Sequence, residues 1–251
     1  MPNIWSAPKE TGLSGDELRD AVQLHLLRHL GESTAAFHDE AGWTGKSREP
    51  GPAIDVLVSP PNGERRFAYV VSCGSAVKSV PTEPGAEPGA RRVEFVLAAP
   101  QRGDARADKT MLNLAANLVR QFAKLVHVQP VRLAAGETVA FSTDPQPMFE
   151  GSQQVAFAFL EPRLPSPGFD AMKLALSGAG PGETVRFLAP VPIYRDELDL
   201  SRDEGPETLA AALARQGVTE MLDFSRLSVV KPRKAGVFQR LAGAFRRKKK
   251  T

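Results

Sequence analysis

One cysteine in 251 residues, Cys73, is too few for an intramolecular disulfide or a multi-cysteine metal cluster. Its place inside a β-rich run makes a buried thiol the expectation. No cationic segment followed by an apolar run opens the chain, and no window approaches 18 uninterrupted apolar residues, so neither a leader nor a spanning helix is expected. A soluble, cytoplasmic protein follows from those absences. Acid is missing from one end. From Lys231 onward there are nine Lys and Arg residues and no Asp or Glu, whereas the whole chain is +3, which leaves residues 1–230 at −6. The sequence pI near 9.1 therefore belongs to a tail, and specific nucleic-acid recognition is not expected of the acidic remainder.

Two reactive patterns fail on inspection. Residues 42–47 (GWTGKS) offer Gly-Lys-Ser, but Glu40 stands where the first glycine of a phosphate loop belongs, and Pro50 and Pro52 follow where a helix should. Ser72, Cys73 and Ser75 form no nucleophile elbow. Asp55, Glu94 and His38 are the polar residues that acid–base chemistry would use. With no activated nucleophile beside them, they read equally as solvent-facing or loop-binding groups. No catalytic residue is assigned, and neither a cofactor nor a small-molecule substrate is expected.

What the sequence does contain is 42% hydrophobic residues, enough for a substantial core. The chain is organised around residues 53–75 (AIDVLVSPPNGERRFAYVVSCGS). Ile54, Val56 and Val58 alternate with Asp55, Leu57 and Ser59, and Phe67, Tyr69 and Val71 alternate with Ala68, Val70 and Ser72. Period-two alternation predicts two strands. Pro60 and Pro61 cannot donate to a ladder and Asn62-Gly63 takes positive φ readily, so a hairpin turning at residues 60–65 is expected.

Before the hairpin, residues 14–30 predict a helix with Ser14 and Glu17 as a capping box and Gly31 as its stop. Leu18, Val22, His25, Leu26 and His29 share one side of it. The histidines at i and i+4 could both reach a metal or pack as structural groups, and no third ligand is linked to them. After a Gly- and Pro-bearing connector and the hairpin, residues 92–98 (RVEFVLA) predict a third strand, and residues 109–126 an amphipathic helix with Met111, Leu114, Ala115, Leu118, Phe122 and Leu125 on one face. Residues 153–160 and 183–189 predict strands, 169–176 is ambiguous between strand and helix, and 193–200 predicts a short helix. Residues 206–216 form another, with Pro206 at its start and Gly217 at its end. The fold class is α+β, a mixed, largely antiparallel sheet covered by helices.

In that frame the chain resembles a bacterial member of the Suppressor of fused family. The likeness begins at residues 37–40 (FHDE) and is most specific in the hairpin, through residues 54–58 (IDVLV), Pro60-Pro61 and Ser72-Cys73-Gly74-Ser75. It continues through residues 93–97 (VEFVL), Pro100, residues 114–122, the Gly136 region, and residues 185–198 with their Tyr194-x-x-Glu197-Leu198 pattern. Residues 205–213 and 223–230, with Arg226-Leu227-Ser228, complete it. Two departures stand out: relatives often carry Thr-x-Gly-Met-Ser where this chain has Ser72-Cys73-Gly74-Ser75-Ala76, and the central helix lacks their aromatic, Pro-rich lead-in. The resemblance implies a Suppressor of fused-like domain over residues 13–230, after an extension (1–12) and before a basic amphipathic tail (231–251).

The resemblance also implies protein binding without catalysis. The family's eukaryotic representative sequesters a transcription factor in Hedgehog signalling, and bacterial members look like immunity proteins of polymorphic toxin systems. A cognate toxin is thus the implied partner, with Trp43, Arg91, Arg92 and Phe149 as candidate contact residues on exposed segments, aromatics being enriched at binding hot spots. A second alternative comes from the tail, where Val237, Phe238, Leu241, Ala244 and Phe245 recur at helical spacing before Arg246, Arg247, Lys248, Lys249 and Lys250. That pattern suits an adaptor resting on an anionic membrane surface, on nucleic acid or on an acidic partner. An uncharacterised enzyme is the third.

Overall fold

The computed structural model describes residues 14–38, 53–80, 92–128, 133–148, 151–174 and 184–230. Helix α1 (Gly15–Leu30) starts as its sequence dictates. Ser14 Oγ accepts from Glu17 N at 3.2 Å while Ser14 N donates to Glu17 Oε2 at 2.7 Å, and Gly31 N closes the far end on Leu27 O. Leu18, Val22, His25, Leu26 and Leu30 are its buried side.

The hairpin forms as β2 (Asp55–Ser59) and β3 (Phe67–Cys73), antiparallel, with Asp55 opposite Cys73 and Ser59 opposite Tyr69. Its turn uses a different device from the expected one. Gly63 does not take positive φ, and no described residue other than glycine does. Instead Asn62 Oδ1 accepts from Glu64 N and Arg65 N at 2.9 and 3.1 Å, so a side chain replaces the special backbone.

Two strands, Thr34–His38 and Thr138–Val139, lie in stretches where the sequence predicts none. Strand β1 (Thr34–His38) pairs antiparallel with β2 at the sheet edge, although its TAAFH composition carries little strand signal. Strand β4 (Arg92–Pro100) follows β3, and helix α2 (Ala105–Val128) begins four residues before the expected start because Asp104 caps it, its Oδ1 accepting from Arg106 N and Ala107 N. After β5 (Thr138–Val139), β6 (Gln154–Leu160) and the short β7 (Ala171–Lys173), β8 (Thr184–Tyr194) runs eleven residues, longer than expected because it continues through Pro190 and Pro192. Pairing with β4 stops at Leu188, so no second neighbour needs the missing proline N–H groups. Helices α3 (Arg195–Glu204) and α4 (Pro206–Arg215) end the regular structure.

The sheet order is β1-β2-β3-β4-β8-β6-β5, with β7 beside β8; only the β4–β8 pairing of named strands is parallel. This is the mixed, largely antiparallel α+β sheet. Alternation along each strand separates two cores. Leu57, Tyr69, Val71, Cys73, Val96, Ala158 and Phe187 face α1, α3 and α4, whereas Val56, Val70, Phe95, Leu97, Phe157 and Phe159 face α2. Across the second face, α2 presents mainly its small residues: Ala115, Ala116, Val119, Phe122, Ala123 and Val126 are buried, while Met111, Leu114, Leu118 and Leu125 are only partly covered. The bulkier aliphatics of the expected core face thus stand at its margin.

Candidate functional site

Glu94 and Asp55, the carboxylates with catalytic potential, are both buried and both engaged. Glu94, on β4, is completely covered. Its Oε2 accepts from Ser72 Oγ at 2.5 Å, and its Oε1 from Gly74 N and Ala76 N at 2.9 and 3.0 Å. Burial pushes its carboxyl up to about 7, against the lowering effect of those donors. Gly74 supplies the bend that aims the amides inward. At φ +120, a Cβ on it would lie 2.5 Å from Ala53 O, so only glycine fits. Asp55 takes Arg19 as its ion-pair partner, and Cys73, between the two carboxylates in the field each exerts, is raised chiefly by burial. Such a thiol is inert. Of the third candidate, His38, the described feature is its position in β1 opposite Asp55.

Ser75 has a buried Oγ with no hydrogen-bond partner among the described residues. On the other side of the same 3-10 turn (Ser75–Val77), burial and then Lys78 pull the His127 imidazole down to about 4, although the Ser75 and Gly74 backbone favours its charged form. Lys78 Nζ donates to His127 O at 3.0 Å.

Glu197 is a further buried carboxylate, one that the sequence pattern does not mark as a site. Glu197 and Arg226, from the Tyr-x-x-Glu-Leu and Arg-Leu-Ser segments, meet in a bidentate pair, with Nη1 to Oε1 and Nη2 to Oε2 both at 2.6 Å. Tyr194 N and Val229 N donate to the same carboxylate at 2.9 and 2.8 Å, and Arg226 Nη2 also reaches Pro192 O. The pair pins residues 226–229 to the start of α3.

A groove of about 360 Å³ has Leu114, Leu118, Phe141, Met148, Phe157 and Phe224 in its walls. The partly covered leucines of α2 form one side. Phe141 forms the other and is 66% exposed. It is nevertheless held by an aromatic stack: its ring centroid lies 5.9 Å from Phe122 and 6.0 Å from Phe157, and fully buried Phe122 also touches Phe95 and Phe159. The rim is polar. Arg195 Nη2 donates to Asp144 Oδ1 at 3.1 Å and to Pro145 O at 2.5 Å, which ties α3 to the loop carrying Phe141. Phe224 is set by the segment along β4, where Glu220 O accepts from Ala98 N, Leu222 N donates to Ala98 O, and Glu220 carboxylate oxygens accept from Arg163 N and Leu164 N. An apolar floor on rigid aromatics with a polar rim is chemically suited to contact, not to bond making.

The expected site residues fall elsewhere. Arg92 opens β4 as the strand pattern predicts, but it is no exposed contact residue: it is buried, its Nη1 donating to Ala76 O and Val77 O at 2.6 and 2.9 Å, and it braces that turn and offers no surface. Trp43, Arg91, Phe149 and the tail residues Phe238, Leu241, Phe245, Arg246, Arg247, Lys248, Lys249 and Lys250 lie outside the described residues. The wall formed by residues 141–148 directly precedes Phe149. His25 and His29 have ring centroids 4.4 Å apart, tilted by 45°, but separate partners: His25 Nε2 donates to Phe169 O at 3.0 Å, and His29 Nδ1 hydrogen-bonds Ser166 Oγ at 2.6 Å. Burial lowers both imidazoles, and among the described residues no cluster of three or more metal-ligating side chains exists. Among the described residues, no helix is long and apolar enough to cross a membrane.

A family model described as Suppressor of fused protein matches residues 51–227. Among solved structures, a Suppressor of fused homologue from Neisseria gonorrhoeae is 20% identical over 87% of this chain and 100% of its own, with a TM-score of 0.48. The structure of a Sufu–Fu complex matches at 12% identity over 88% and 93%, with a TM-score of 0.49. Drosophila Suppressor of Fused matches at 13% over 78% of this chain and 45% of its own, with a TM-score of 0.41. A search of curated proteins finds no match.

Proposed function

Since the chain belongs to the Suppressor of fused family, a family of protein-interaction domains, we propose that it is a non-catalytic binding domain whose contact surface is the groove between α2 and residues 141–148. The observation that carries this is Phe141, a large aromatic two-thirds exposed yet fixed by the buried stack behind it. An anchor that is already ordered loses little entropy on binding, which is how aromatic hot spots gain their strength. Support for the absence of catalysis comes from the two carboxylates, whose oxygens are engaged by the protein's own groups. We infer further that the partner is a toxin neutralised by occlusion, as the resemblance to bacterial immunity proteins implies.

The test is retention of a partner by the full chain and by its Phe141→Ser variant. A single protein held by the native chain, released by the variant at unchanged melting temperature, and toxic in cells unless the native chain is co-expressed is the expected result. A complex indifferent to Phe141→Ser moves the interface elsewhere. Turnover of a small substrate that Asp55→Asn abolishes replaces binding with catalysis.

A further inference from the structure

The chain leaves the described fold beside the groove. Ser228 Oγ donates to Asp196 Oδ2 at 2.8 Å and Val229 N to Glu197 Oε1 at 2.8 Å, which fixes the exit on the first turn of α3. The preceding residue of that turn, Arg195, is the one that holds the groove rim at Asp144 and Pro145. Exit and rim are thus gripped by consecutive side chains. Residues 231–236 reach up to about 20 Å when extended. Beyond them Val237, Phe238, Leu241, Ala244 and Phe245 fall at i, i+1, i+4, i+7 and i+8, a sequence spacing that would put them on one face of a helix and span roughly 13 Å as one. A lining of leucine, methionine and phenylalanine is the kind that receives the apolar face of such a helix. Charge favours the same pairing, because residues 1–230 carry −6 and the segment after them carries nine cations.

We propose that residues 237–245 seat their apolar face in the groove of their own chain, so that an external partner must displace them. This rests on the groove being a contact surface. A short tether gives an effective concentration on the order of millimolar, so even a weak intramolecular contact is populated and lowers apparent partner affinity by the fraction of grooves left open.

The full chain permits a direct test, because its native Cys73 is buried and will not take a label. A nitroxide is attached at Gln239→Cys, on the polar side of the segment, and amide signals are read in the isotope-labelled protein. The expected result is loss of intensity at Leu118, Phe141, Met148 and Phe224 but not at Ala211 on the opposite side of the sheet, with recovery in Phe238→Asp/Leu241→Asp and in Phe141→Ser. Undiminished groove signals overturn the proposal, as does a loss that survives the double substitution. A loss seen only between spin-labelled and isotope-labelled copies assigns the groove to a second chain. Binding of the segment to phosphatidylglycerol vesicles with the groove amides unbroadened assigns it to a membrane. A partner complex weakened by Phe141→Ser without any intramolecular loss sinks the tail's occupancy alone. Intramolecular loss with a partner complex indifferent to Phe141→Ser sinks the partner reading and leaves the tail in place.

Discussion

Glu94 and Glu197 are both completely buried, yet the protein accommodates them in opposite ways. Glu197 meets a cation in bidentate register and two backbone amides. Glu94 has a hydroxyl and two amides but, among the described residues, no ion-pair partner in contact, and its carboxyl rises to about 7. The first arrangement sets a carboxyl group against a guanidinium and joins distant segments of chain. The second keeps a proton within reach of neutrality and shapes a turn. A buried acid is therefore no catalytic signal until its partners are known.

The largest effect should come from breaking the charged pair. Arg226→Ala leaves the buried Glu197 carboxyl group without its cation and should cost about 3–5 kcal/mol, read as a lower urea midpoint. Arg226→Lys should recover only part of it, since a point charge cannot reproduce the two parallel bonds.

Glu94 sharpens the contrast through pH. Its folded pKa lies above its unfolded value of 4.5, so its stabilising contribution is full below pH 4.5 and lost as pH rises through about 7, a swing of roughly 3 kcal/mol. His127 has the reverse sign. Depressed from 6.5 to about 4, it contributes above pH 6.5 and loses that contribution as pH falls through 4. Between pH 4.5 and 6.5 the two slopes oppose, which should leave the native stability profile flatter than either alone. In Glu94→Gln, stability should climb with pH over that interval; in His127→Gln it should fall. Chemical denaturation at several pH values reads both, and parallel profiles in the two variants would contradict the assignment.

Next in size is Gly74→Ala, which forces a Cβ against Ala53 O at a positive φ and should cost about 1–3 kcal/mol. The smallest stability change belongs to Phe141→Ser, about 0.5 kcal/mol at a largely exposed position. That variant should nonetheless lose partner binding, separating the groove from both carboxylates.

Much of the scaffold was legible because it obeys local rules. The capping box of α1, the alternation of β2 and β3, and Pro206 at the start of α4 each act within a few residues. The edge strand β1 was not, since its TAAFH segment is held by pairing with β2 and not by its own propensity. Nor was the groove. Leu114 and Leu118 repeat with the same period as the true core positions, and only the sheet's position shows that alanines pack beneath the helix while the leucines stand aside. Phe141, an isolated aromatic in the polar stretch FSTDPQP, was the one signal that could have marked it. Glu197 and Arg226 were both quoted as motif residues, but 29 positions separate them, and no local pattern announces a contact across that distance.

The Glu197–Arg226 clamp has a mechanical consequence. Force applied to the C-terminal end, as by an unfolding machine that threads its substrate from that side, meets the clamp within a few residues of leaving the tail. Two parallel charge-assisted bonds must then break together before residues 219–226 can peel from β4 and β8. The domain should therefore resist being drawn out from its basic end, whatever that end is used for.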